Sequence, residues 1–255
     1  MASDQAARDG LAEGFERAFT WSNIGQQIGS GLISGGAGFV VGSLLESLFS
    51  DGENMQDMMQ NFADQIVSRL TVEFRNILDD ALFADRLQRL KVSTSSLGEK
   101  YAIFQATGDM PLLDASVNHA FDAVESAVAM GAPAIGTFVV AAGLKMCLFE
   151  EKARFNEFFH VQTRREVERA AGLVERWVAE LLEADRRAVG QWRSCKTIPN
   201  EGRFCFITVN GRVIHTQVFN AEEDRQVYID ALIRQTMTEI VIPAREIVAT
   251  WRRFT

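Results

Sequence analysis

The run from Ala132 to Phe149 constrains this chain more than any other segment. Between Glu125 and Glu150 the sole charged residue is Lys145, and Ile135, Phe138, Val139, Val140, Leu144, Met146, Leu148 and Phe149 surround a helix without forming a stripe. A helix that is apolar on every side must be covered on every side. In water, that places it at the centre of a bundle. Its length also approaches the ~20 residues that cross a bilayer core, although Lys145 would cost roughly 3 kcal/mol at the bilayer centre.

The rest of the chain can provide the cover. Of 255 residues, 47% are hydrophobic and 24% charged, enough to bury a large core in one domain spanning 1–255. Only four prolines and two tyrosines occur, while Leu, Ala, Glu, Arg, Met and Phe abound, a mixture that favours helices and excludes an all-β fold. Met55, Met58, Met59, Phe62, Ile66, Leu70, Phe74 and Ile77 recur at three- and four-residue steps, as an amphipathic helix requires. A second such run covers Phe83 to Ala106, with Leu87, Leu90, Leu97, Tyr101 and Phe104 on one side, ended by Gly108-Asp109 and Pro111.

Between Ala18 and Leu45 no charge occurs, and seven glycines stand at 25, 29, 31, 35, 36, 38 and 42. Gly25/Gly29, Gly31/Gly35 and Gly38/Gly42 have the four-residue spacing that lets membrane helices approach closely. Each glycine also costs a helix about 1 kcal/mol relative to Ala. The segment is therefore expected to be a buried, broken helix or loop.

Asp114 is expected to cap a helix running to Met130, with Val117, Phe121, Val124 and Val128 on its apolar side and Asn118, Asp122 and Glu125 on its polar side. Gly131 closes it, and Pro133 suits the first turn of the apolar helix, where a missing N–H costs nothing. Glu150 to Trp192 reads as one long charged helix whose apolar stripe includes Val167, Leu173, Val174, Trp177, Leu181 and Trp192 and whose outer face is solvated. Residues 203–218 break the helical pattern: Phe204, Phe206 and Thr208 alternate, and Asn210-Gly211 matches a type I′ turn before Val213 and His215. One β-hairpin follows from this. Asn220 and Glu223 resemble a capping box, and the last helix, through Tyr228, Ile240 and Trp251, is expected to kink at Pro243.

Chemistry is sparse. No Walker-type loop, HExxH, nucleophile elbow or Rossmann fingerprint is present, so no catalytic residue, cofactor or metal is expected. Asp79-Asp80, Glu150-Glu151 and Glu222-Glu223 fit helix ends and charged faces. His119, His160 and His215 are scattered, and Cys147, Cys195 and Cys205 lack CxxC spacing. Cys147 reads as inert packing. Cys195 and Cys205 could bridge a local turn, but two free thiols in a reducing compartment are the expected state. A net charge of −8, with Arg164-Arg165 offset by Glu166 and Glu168, argues against a nucleic-acid surface. Met1 to Arg17 is polar and acidic, unlike a secretory signal. The expectation is a soluble protein, cytoplasmic or released without a signal peptide, and membrane-bound after activation.

Several stretches resemble the N-terminal pore-forming domain of the insecticidal δ-endotoxins, the three-domain crystal toxins. Gly35-Gly36-Ala37-Gly38 through Leu44-Leu45-Glu46-Ser47-Leu48-Phe49 is similar to that family's small-residue first helix. Met58 to Leu90, with Gln65-Ile66-Val67 and Leu87-Gln88-Arg89-Leu90, resembles the helices after it. Met110-Pro111-Leu112 to Met130 looks like its fourth helix, and Ile135 to Ala153, especially Val140 to Leu148, like its apolar fifth. Arg225 to Val248 is similar to its seventh. The resemblance rests on helix order and apolar patterns.

It implies a seven-helix-type bundle whose apolar central helix and the helix before it, 114–149, insert into a target-cell membrane and open a homo-oligomeric pore. The eight apolar residues named first would then face lipid, and Asn118, Asp122, Glu125 and Lys145 would line the lumen. The family's receptor-binding β domains have no counterpart in these 255 residues, so no receptor is implied. The expectation is an all-α bundle with one β-hairpin at 203–218, not an enzyme, and pore-forming or membrane-perturbing. The alternative is a helical scaffold or signalling domain that never inserts and makes protein contacts.

Overall fold

The computed structural model describes residues 21–34, 80–199, 202–218 and 221–254. These residues are mostly helical. In chain order they form α1 (Trp21–Ser34), α2 (Asp80–Thr107), α3 (Met110–Met130), α4 (Ile135–Ala153) and α5 (Phe158–Arg187). Strands β1 (Arg193–Ile198), β2 (Gly202–Val209) and β3 (Arg212–Gln217) follow, then a two-part helix α6 (Ala221–Thr236 and Ile242–Arg252). The expected helix from Met55 to Ile77 and the glycines at 35, 36, 38 and 42 lie outside the described residues.

Helix α4 is the centre. Phe138, Val139, Ala142, Met146, Cys147 and Leu148 are all fully buried, and α1, α3, α5 and the second part of α6 pack round it. The connections follow from local chemistry. Gly108, at φ +72°, ends α2 and donates its N–H to the Phe104 carbonyl at 2.7 Å, the left-handed stop that glycine adopts without strain. Gly131, at φ +79°, ends α3, and Pro133 sits in the 3-10 turn Ala132–Ala134 that leads into α4.

Some boundaries differ from expectation. Helix α3 starts at Met110 with Pro111 in its first turn, where the absent N–H is harmless, so Asp114 is no cap. It pairs instead with Lys152 near the end of α4. The long helix expected from Glu150 is broken between α4 and α5. Asn156 Oδ1 accepts the Phe158 N–H at 3.1 Å, an Asx-type turn that offers the backbone an alternative to the helix ladder.

The segment around Gly25 and Gly29 is a continuous helix, not a broken one. A Cβ on Gly29 would stand 2.7 Å from Thr250 Cγ2, and one on Gly143 of α4 would stand 2.8 Å from Ile28 Cγ2. Glycine lets α1 lie close to both α6 and α4, and the packing outweighs the helix propensity lost.

Instead of one hairpin there is a small three-stranded antiparallel sheet ordered β1-β2-β3, set in described residues that are otherwise mostly helical. Asn210 (φ 49°) and Gly211 (φ 73°) make the expected tight turn. Cys195 and Cys205 are joined by a disulfide, which overturns the expectation of free thiols. The reason is register: the irregularity between Arg193 and Lys196 brings Cys195 of β1 beside Cys205 of β2. Cys205 and Ile207 point inward, and Ile207 joins Val189, Ile229, Trp192 and Tyr228 in a small second core between the sheet and α6. Trp192 thus lies beyond the helix that was expected to hold it. A π turn, Met237–Val241, precedes the second part of α6, where Pro243 again occupies the first turn.

At the end of α5, Asp185 is buried, and its Oδ2 has no hydrogen-bond partner. Burial raises its carboxyl above the ordinary 3.8, opposed by a bond from Thr236. With the folded pKa raised, the contribution of this group to stability is greatest below pH 3.8 and is lost as pH rises through the folded value. We expect Asp185→Asn to stabilise the fold at neutral pH by on the order of 1 kcal/mol. Denaturant unfolding at neutral and acid pH checks this: the gain should shrink in acid.

Candidate functional site: a sheathed apolar hairpin

Among the described residues one helix is long and apolar enough to cross a membrane. It is the run Ala132–Ala153, whose 18-residue apolar window has mean hydropathy 1.7 and is 94% buried. Helix α3 precedes it through the tight turn, making an antiparallel helical hairpin. Of the eight apolar positions singled out above, Ile135, Phe138, Val139, Leu144, Met146, Leu148 and Phe149 are buried and Val140 is half-buried. Phe138 packs edge-on to Trp177 of α5, ring centroids 5.1 Å apart.

Asn118, Asp122 and Glu125 lie together on the exposed face of α3. Asp122 and Glu125 line an open cleft of about 730 Å³ against α2, opposite Asp85, Arg86 and Arg89. Arg86 donates to the Ala129 carbonyl across it. The fourth candidate, Lys145, stands apart from them. Its side chain is 1% exposed, and its Nζ lies 2.9 Å from Glu166 Oε2 on α5 and 3.9 Å from the centre of the Phe121 ring.

This ion pair is the more deeply buried of two that tie α4 to α5 among the described residues; the other joins Glu150 to His160 at 3.0 Å. Burial lowers the Lys145 pKa below its ordinary 10.5, while the hydrogen bond and charge of Glu166 oppose the shift. Arg169 Nη1 also reaches Glu166 at 3.4 Å, so the carboxylate is held between two cations. Glu166 was missed by the reading of α5 as an apolar stripe plus a solvated face. It stands on the buried side, between Thr163 and Val167. The available signal was Lys145 itself, because a buried ammonium needs a carboxylate.

Burial also pushes the Cys147 and Tyr101 pKa values upward. A fully buried thiol of raised pKa is a poor nucleophile. No cluster of His, Cys, Asp or Glu suited to a metal ion occurs among the described residues. No family model, curated protein or solved structure matches the chain. What the hairpin does must follow from its own chemistry. An apolar rod is kept from water by amphipathic helices, with Lys145, the one charge between Ala132 and Phe149, neutralised from outside the hairpin.

Proposed function

We propose that the chain is a pore-forming or membrane-perturbing protein that stores its α3–α4 hairpin inside the bundle and releases it into a target membrane. The observation that carries this reading is the 18-residue apolar window within Ala132–Ala153, of mean hydropathy 1.7. At 1.5 Å per residue that window is about 27 Å long, against ~30 Å of hydrocarbon. The resemblance to the δ-endotoxin pore domain points the same way, and with it a seven-helix-type bundle. On this reading α4 exchanges its protein neighbours for lipid, and Asn118, Asp122 and Glu125 of α3 face a water-filled lumen in a homo-oligomer. Lys145 must turn to that lumen as well, since facing lipid would cost roughly 3 kcal/mol. Backbone hydrogen bonds are satisfied within each helix, so the hairpin can cross without a partner for them.

A second reading, a bundle that never opens and serves as a scaffold, is favoured by one feature. The hairpin's turn, Ala132–Ala134, is itself buried. Release of a dye from liposomes separates the two. Leakage over some part of a pH series, with or without protease trimming, supports insertion; none under any condition supports the scaffold.

Val140 gives a cleaner mutational test than its buried neighbours. Because it is half-buried, Val140→Asp leaves its carboxylate a route to solvent in the folded chain, with an expected loss of about 1 kcal/mol. In a bilayer the same carboxylate adds roughly 3 kcal/mol near the midplane. Leakage should fall about a hundredfold while the melting temperature moves by a few degrees.

A further inference from the structure

Three of the twelve exposed large apolar side chains among the described residues fall within seven positions: Phe155 at 62%, Phe158 at 56% and Val161 at 46%. They occupy the α4–α5 turn and the first turn of α5. Phe159 between them turns inward against Phe149, with Lys152 Nζ 4.1 Å from its ring centre. The segment is thus anchored, and its outward aromatics are held outward. Phe158, Val161 and Arg165 are three and four residues apart and share one face of α5.

The charges round this patch are mainly positive, in a chain of net charge −8. Arg154, Arg164 and Arg165 are exposed on the turn and on α5. His160 stacks edge-on to Phe254 with centroids 5.3 Å apart, which brings the exposed Arg252 and Arg253 at the end of α6 to the same place. The nearby acids are mostly engaged: Glu150 with His160, Glu151 with Arg154 and Asp114 with Lys152. Glu157, in the turn itself, and Glu168, one turn along α5 from Arg164 and Arg165, are exposed, while Glu166 is taken up by Lys145 and Arg169.

We propose that this end of the bundle docks on an anionic lipid surface, Phe155, Phe158 and Val161 entering the headgroup–acyl boundary and Arg164, Arg165, Arg252 and Arg253 meeting lipid headgroup anions. Exposed aromatics ringed by cations match the layering of such a surface, apolar below and anionic at headgroup depth. Docking needs no release of α3–α4. The turn Ala132–Ala134 is at the other end of α4, so this contact would hold the closed bundle at a bilayer before any insertion.

Flotation of the full chain with mixed phosphatidylserine–phosphatidylcholine vesicles, against pure phosphatidylcholine vesicles, tests it. Binding should favour the mixed vesicles and weaken with salt. The double variant Phe155→Ser, Phe158→Ser should bind about tenfold or more weakly, and Arg164→Glu, Arg165→Glu should lose the preference for anionic lipid. Far-UV dichroism and melting temperature should be unchanged, because these side chains are exposed. Failure of the unmodified chain to float, or undiminished flotation of the Phe155/Phe158 variant, would overturn the proposal. Flotation without dye release would keep docking and remove the pore. Dye release with undiminished flotation of that variant would do the reverse.

Discussion

Glu166→Ala should lower the stability of the folded chain by about 3–5 kcal/mol, because it leaves Lys145 buried without its carboxylate. That is a fall of roughly 10 °C in melting temperature for a chain of this size. The companion Lys145→Met, Glu166→Leu should be close to neutral or stabilising, since removing both charges removes the desolvation cost along with the attraction. Single and double variants compared by denaturant unfolding separate the pair from the packing around it. The pH dependence has a definite sign. Burial holds Lys145 below its ordinary 10.5, so over the window beneath that value the unfolded chain binds more protons and stability rises with pH. In Glu166→Ala the window should widen downward. If the hairpin is stored for release, this variant should also leak dye faster, as one tie between α4 and α5 is gone.

Phe138→Ala is expected to cost about 3–5 kcal/mol, the range for emptying an aromatic site in a close-packed core. Phe138 is fully buried and packs edge-on to Trp177. By contrast Phe206→Ala, on the outer face of the sheet, should change stability by less than about 1 kcal/mol. Chemical denaturation of both variants checks the placement of α4. Equal small losses would mean that the apolar helix is not central in solution.

The centre of this fold was legible because it depends on composition alone. A run with one charge between Glu125 and Glu150 has few ways to exist in water, and it became α4. The polar face of α3 was legible for a similar reason, since Asn118, Asp122 and Glu125 recur at helical spacing. What escaped depended on contacts between distant residues or on backbone geometry. The break at Asn156 is made by a side-chain hydrogen bond to Phe158, and apolar periodicity carries no trace of it. Strand β1, reading Arg-Ser-Cys-Lys-Thr-Ile, has no apolar alternation; it forms because β2 is there to pair with. The bond between Cys195 and Cys205 follows from that pairing, so without β1 nothing favoured the local bridge over two free thiols. Packing against Ile247 and Thr250 keeps Gly25 and Gly29 helical, although propensity alone argues for a break.

For the candidate site, sequence located the hairpin but not its restraint. Sorting α5 into an apolar stripe and a solvated face sent Glu166 to the wrong side. The deeper cause is that a buried charge is stabilised by one particular partner, and a periodic pattern cannot express that. Lys145 itself pointed to the need for such a partner, and four helices of cover made the pair's burial possible.

Whether α4 leaves its neighbours can be measured by tying it to one of them. A Cβ on Gly143 would lie 3.5 Å from Ile28 Cβ, at the short end of the separation that a disulfide spans. In a Cys147→Ala background, Ile28→Cys with Gly143→Cys should join α1 to α4 when oxidised. The account predicts that the oxidised protein leaks no dye from liposomes and that reduction restores leakage to the level of the reduced control. Equal leakage from the oxidised and reduced forms, with the crosslink verified by mass, would contradict the release of α3–α4.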